Sequence, residues 1–162
     1  MNRNSLLAAL VTVAVLATTA HADRLSFELG AGAGGFSNAG DAAQGSVAMS
    51  LGVGIATSRR LAFDLRYVRL QDVGSTRTAD RHFFLGPMVN RFVGERVFLG
   101  VGLGMAGANG VGPALDARVG AVLSTVSPDY LYASLEASAA IALDGDSDAA
   151  RAALLLIGYR GR

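Results

Sequence analysis

The chain has 162 residues, no cysteine and a formal net charge of +1, which suits a single domain. Without cysteine it can form neither a disulfide nor a thiolate metal site, and its arginines are scattered among aspartates, with no basic stripe for nucleic acid. Beyond the first residues, no apolar run reaches the roughly 20 residues of a membrane-spanning helix.

The N-terminus has the organisation of a secretory signal peptide, residues 1–22. Arg3 supplies a positive charge, residues 6–17 form a short apolar run, and Ala20-His21-Ala22 is a small-x-small pattern before a cleavage site. Cleavage after Ala22 leaves an exported domain of residues 23–162. The alternative is an uncleaved anchor helix, which the shortness of the apolar run disfavours.

Alternating apolar residues predict eight β-strands. From Val97 to Met105 every second residue is large and apolar, and mostly glycine fills the positions between. A period of two is typical of a strand with one apolar face. The turn Val93-Gly94-Glu95-Arg96 precedes this strand and predicts an antiparallel hairpin. The predicted strands are 24–35, 46–57, 61–68, 83–90, 97–106, 114–123, 131–141 and 150–159.

The two faces of these strands predict a barrel in lipid. A soluble sandwich places bulky residues inside and polar ones outside, but here the second face is mostly glycine, alanine or charged. Such strands suit a narrow closed barrel whose bulky side chains meet lipid. In the last strand the alternation is lost, and either set of alternate residues could face the lipid. The predicted lipid-facing residues are Leu51, Val53, Leu65, Leu99, Val101, Leu103 and Leu135.

The connections between strands alternate in length. Those after strands one, three, five and seven are longer and polar, and those after two, four and six are shorter, as in bacterial outer-membrane barrels. With the signal peptide and the terminal pattern Leu155-x-Ile157-x-Tyr159, the chain resembles the small eight-stranded barrels of the OmpA transmembrane domain and OmpX. The resemblance implies an all-β, eight-stranded, antiparallel up-and-down transmembrane barrel. It also implies a monomer in the bacterial outer membrane, in contact with lipid and lipopolysaccharide, and recognition of the C-terminal strand by the barrel assembly machinery.

The charged residues of the strands fall on the inward parity and predict an ion-pair network across the lumen. Arg66 and Arg118 are expected at mid-height, between the two glutamates. Asp64 and Asp116 are expected nearer the ends, in reach of water. The alternative is a set of single solvated charges on an ordinary sheet. The predicted network is Glu28, Asp64, Arg66, Asp116, Arg118 and Glu136.

Catalytic and metal chemistry find little support in the sequence. His82 is the one histidine outside the signal peptide, and we expect it at the barrel rim as a solvated residue, although Ser75 could approach it from a loop. Asp144, Asp146 and Asp148 alternate as in a calcium loop but lack the glutamate at the twelfth position of an EF-hand. We therefore expect no catalytic site, no metal and no cofactor.

The function expected from these patterns is structural: envelope integrity, or surface contact through the outer loops. A narrow conduit for small or apolar solutes is the alternative, because inward glycine and alanine could leave cavities for water. A lipid-modifying enzyme of the outer membrane is a further alternative. A soluble ligand-carrying barrel is disfavoured because it would need large residues pointing inward.

Overall fold

The computed structural model describes residues 25–37, 44–58, 60–72, 81–107, 111–126, 129–140 and 150–161. Eight strands pair antiparallel with their neighbours in sequence, and the last pairs with the first to close a barrel. This confirms the predicted eight-stranded antiparallel up-and-down architecture. The strands are β1 (Leu25–Ser37), β2 (Gln44–Ser58), β3 (Leu61–Asp72), β4 (Arg81–Val93), β5 (Val97–Gly107), β6 (Gly112–Val126), β7 (Asp129–Ala140) and β8 (Arg151–Gly161).

The strands extend further than the sequence pattern predicts. Phe36 was expected in a loop, but it pairs with Gln44 on β2 and with Ala152 on β8. Arg160 was expected to follow the last strand, but it pairs with Glu28 on β1 and with Tyr130 on β7. The strands are longer because the barrel is closed. Each strand has a neighbour on both edges, and both neighbours continue the ladder of backbone hydrogen bonds.

The two ends of the barrel differ. Short connections join β2 to β3, β4 to β5 and β6 to β7, and we call this the turn end. The longer connections lie at the opposite, loop end, as predicted. At the turn end, Gly94 has a φ of 71°, a conformation that glycine adopts without steric cost. Both ends of the described chain, Leu25 and Gly161, also lie at the turn end.

The outer surface is a belt of large apolar side chains. Val101 and Leu103 are each 65% exposed, and Leu51, Val53, Leu99 and Leu135 are exposed as well. Leu65 lies on the same outer parity but is half-buried. The parity of β8, which the sequence left open, places Leu155 and Ile157 outside and Leu154 and Leu156 inside. Among the described residues, no helix is long and apolar enough to cross a bilayer.

The lumen is filled in two layers. Toward the turn end it holds charged, amide and aromatic side chains, and toward the loop end it holds an apolar cluster. Both layers consist of inward-facing residues from several strands, so the core of the molecule is the barrel interior. The apolar cluster comprises Phe36, Ala48, Val68, Leu70, Phe84, Ala106, Ala114, Ala152, Leu154 and Leu156.

Candidate functional site

The centre of the polar layer is a network of four charged side chains from four strands. Arg66 Nε lies 3.2 Å from Glu28 Oε1, and Arg66 Nη2 lies 2.7 Å from Glu136 Oε1. Arg118 Nη1 lies 2.7 Å from Glu28 Oε1 and 3.8 Å from Glu136 Oε1. Each arginine therefore lies between the two glutamates, and all four residues are buried.

Arg118 contacts both polar and aromatic side chains. It donates two hydrogen bonds to the Glu28 carboxylate, of 2.7 and 3.1 Å, and one of 2.8 Å from Nε to Asn90 Oδ1. The Tyr132 hydroxyl donates to the same carboxylate at 2.8 Å. The guanidinium carbon lies 5.0 Å from the centre of the Phe98 ring, within the range of a cation–π contact. The planar guanidinium is therefore matched both to a carboxylate, in a bidentate pair, and to an aromatic face.

Asp64 does not lie in reach of water, and that expectation was wrong. It is buried and accepts hydrogen bonds from Arg160 at 2.7 and 2.9 Å and from Asn90 Nδ2. Arg160 also donates to Ser26 Oγ at 2.7 Å. The physical reason is the length of β8: with Tyr159 facing outward, the next residue must face inward, and it brings a third guanidinium into the lumen.

Asp116 is also buried, at 3% exposure, so the expectation of water contact was wrong for it too. It lies on β6 between Gly102 of β5 and Ser138 of β7. No arginine of the described chain is within ion-pairing distance of it. Between Asp116 and the loop end, the lumen holds the apolar cluster, which includes Phe84.

The inward glycines make room for large neighbours. A Cβ on Gly100 would lie 2.8 Å from Arg118 Cγ, and one on Gly158 would lie 2.6 Å from Cε1 of Tyr132. Both distances are shorter than carbon atoms tolerate. The space beside these two glycines is therefore occupied by the Arg118 and Tyr132 side chains.

His82 is fully buried, so its expected place as a solvated rim residue was wrong. Its ring stacks on Phe36 at 6.1 Å between centres, and Nε2 lies 3.1 Å from Ser138 Oγ. The alternation in β4 does indicate that His82 faces inward. Phe83 and Leu85 lie on the predicted outward face, so His82, next to Phe83 in sequence, lies on the opposite face. Extension of β1 to Phe36 then covers the ring.

The sequence pattern does not identify several residues of the polar layer, among them Asn90, Ser26, Tyr132 and Arg160. Asn90 and Ser26 have inward parity but carry no charge, so the pattern of charged residues does not mark them. Tyr132 lies on an inward position close to the turn end, and Arg160 lies one residue beyond the predicted end of the last strand. If Tyr159 faces outward, the next residue of the same strand faces inward, which would have identified Arg160 as a residue of the lumen.

Solved structures of two proteins illustrate what this barrel resembles. Neisserial surface protein A (NspA) is 15% identical, with 84% of this chain and 95% of that chain covered and a TM-score of 0.66. Ail, the attachment invasion locus protein of Yersinia pestis, is 13% identical, with 85% and 98% covered and a TM-score of 0.56. The chain has the fold of the small eight-stranded outer-membrane β-barrels. At these identities the likeness concerns the fold alone.

No protein-family model and no curated protein matches the sequence of this small barrel. Three predictions fall outside its described residues: the signal peptide 1–22, the approach of Ser75 to His82, and the acidic run 144–148. The described part of the barrel holds no group of three or more potential metal ligands.

Proposed function

We propose that this protein is a structural barrel of the bacterial outer membrane with a closed lumen, which acts through its outer surface and loops in envelope integrity or surface contact. One observation carries the proposal: the polar layer and the apolar layer follow one another along the barrel axis. A solute would have to displace both a buried ion-pair network and a packed apolar cluster. An eight-stranded barrel has little more than side-chain space inside.

Membrane insertion is supported by the position of the outward charges. Between the two ends of the barrel the outer face is apolar, which lipid requires. The outward charged side chains of the described strands lie close to strand ends: Arg69, Arg91, Asp129 and Arg151. The proposal includes export by the signal peptide, insertion through recognition of β8 by the barrel assembly machinery, and a monomer among lipid and lipopolysaccharide.

Conductance in planar bilayers tests the closed lumen. We expect no steady open-channel steps from refolded barrel, with a conducting porin in the same bilayer as the positive control for insertion. Steady steps would favour the narrow conduit and overturn the proposal. The role in the envelope is tested separately in a deletion strain, where we expect greater sensitivity to bile salts. Unchanged sensitivity would speak against a contribution to envelope integrity.

A hydrolase is the second candidate, because the distance between His82 and Ser138 is that of a base and a nucleophile. The pair is buried beneath Phe36, which leaves no path for a substrate within the described residues. We therefore expect no labelling of Ser138 by a fluorophosphonate probe, and no change of phenotype in His82→Ala. Labelling that is lost in Ser138→Ala would establish the hydrolase instead.

A further inference from the structure

The buried charges of the lumen do not balance. Within the described part of the barrel, four buried carboxylates face three buried guanidiniums. The carboxylates are Glu28, Asp64, Asp116 and Glu136, and the guanidiniums are Arg66, Arg118 and Arg160. With all of these groups ionised and His82 neutral, the lumen would hold one negative charge in excess. A buried charge without a counter-charge is costly, and such a group usually becomes neutral instead.

Asp116 is the carboxylate that the ion pairs leave out. Glu28, Asp64 and Glu136 each have an arginine nitrogen 2.7 Å away. Asp116 has none at ion-pairing distance among the described residues. Its Oδ1 atom is buried and has no hydrogen-bond partner in that part of the chain. The excess negative charge is therefore located at Asp116.

The charged groups around Asp116 disfavour its ionisation. They are Glu136 on β7, Arg66 on β3 and Arg118 on β6 itself. Glu136 is the diagonal neighbour of Asp116, two positions before the register partner Ser138, and diagonal neighbours are about 7–8 Å apart. Both arginines already lie between the two glutamates. A carboxylate at Asp116 would thus stand beside a like charge, which favours the neutral acid.

The remaining walls of the site supply no counter-charge. On β5 the register partner is Gly102, and a Cβ there would lie 3.3 Å from Met88 Cε and 3.4 Å from Phe84 Cζ. On β7, Ser138 leads to His82, whose Nε2 lies 3.1 Å from Ser138 Oγ. His82 is fully buried, and its Nδ1 has no hydrogen-bond partner among the residues that the structure describes. An imidazolium would bury both a charge and an unpaired N–H donor.

We propose that the Asp116 carboxyl is a proton-binding site, which in the folded barrel is a neutral carboxylic acid at neutral pH. The bound proton makes the lumen electrically neutral and takes the place of a fourth guanidinium. A protonated carboxyl is also a hydrogen-bond donor. The Oε2 atom of Glu136, buried without a hydrogen-bond partner in the described chain, is an acceptor on the neighbouring strand. This assignment goes beyond the proposed role in the envelope, because it concerns the charge state of the lumen.

The pH dependence of unfolding by urea in detergent tests the proton. An unfolded chain releases the proton of an aspartate near about pH 3.9. Because the folded barrel keeps it, folding takes up one proton above that pH. Relative to Asp116→Asn, the unfolding constant of wild type should therefore rise about tenfold per pH unit between about pH 5 and pH 7. Asparagine has the shape of the neutral acid and does not titrate. A ratio that stays constant over this range would overturn the proposal.

Asp64→Asn is the matched control, because Asp64 is a buried carboxylate with an arginine partner. Its ratio to wild type should not change with pH in this range, where Asp64 is ionised in both the folded and the unfolded state. At neutral pH it should raise the unfolding constant more than about tenfold, since Arg160 loses its counter-charge. Asp116→Asn should leave the constant unchanged or lower it. Failure of Asp116→Asn to fold, judged by gel mobility of unheated samples, would also overturn the proposal.

Infrared spectra locate the proton directly. The C=O stretch of a protonated carboxyl lies above the amide I band, and a carboxylate lacks it. Wild type at neutral pH should show this band, Asp116→Asn should lack it, and His82→Gln should retain it. Absence of the band from wild type, or its persistence in Asp116→Asn, would overturn the proposal. Absence together with greater stability in potassium chloride than in choline chloride would identify a bound cation instead.

Discussion

Removal of the Arg118 side chain should destabilise the barrel by about 3 kcal/mol. Loss of one member of a buried ion pair costs about 3–5 kcal/mol because a charge remains buried without its partner. In Arg118→Met, Glu28 keeps Arg66 Nε at 3.2 Å and the Tyr132 hydroxyl at 2.8 Å, while Asn90 loses the guanidinium. The surviving contacts of Glu28 place the expected loss at the lower end of that range.

A double-mutant cycle with Glu28→Met measures how far the two residues depend on each other. We expect the double variant to lose about 1–3 kcal/mol less than the sum of the two single losses, because neither charge is then left without the other. The chain has no tryptophan, so unfolding by urea in detergent micelles is followed by circular dichroism and by gel mobility of unheated samples.

The control cycle combines Arg118→Met with Glu95→Gln, because Glu95 is exposed in the β4–β5 turn. Its losses should add to within about 0.5 kcal/mol. Additive losses for Arg118 and Glu28 as well would show that the two groups are energetically independent. The network would then be a set of separate charges, and the reasoning from its geometry would be refuted.

Three further outcomes are expected. Unheated protein should run faster than boiled protein on a denaturing gel, and identical mobilities would argue against a closed barrel. Gly158→Ala should lower the free energy of unfolding by about 1–3 kcal/mol because the added Cβ meets the Tyr132 ring. Gly45→Ala should be neutral or stabilising, because no atom lies within 4 Å of the added Cβ. Equal effects of the two variants on the urea midpoint would contradict this. Arg160→Met should cost about 3–5 kcal/mol because it leaves Asp64 buried without its bidentate partner, and an unchanged midpoint would show that the terminal arginine is dispensable.

The outer face of the first seven strands could be predicted from alternation, but the outer face of β8 and the partners inside the lumen could not. Leu51 and Leu99 were assigned to the outer face from alternation alone, and both lie there. Asp64 was assigned correctly to the inner face but wrongly to the reach of water, because its partner Arg160 is 96 residues away. Alternation along a strand shows whether a residue faces the lumen or the lipid. It shows neither how far the side chain lies from water nor which residues of other strands it contacts across the lumen.

By itself, the sequence determined the strand count, the antiparallel order and the two faces of the first seven strands, because side-chain alternation is a local property of extended backbone. Tertiary structure alone decided that Arg118 meets Glu28 across 90 residues and that His82 lies beneath Phe36. These contacts depend on the stagger between strands and on the closure of β8 against β1. Stagger and closure belong to the whole barrel, so no single strand encodes them.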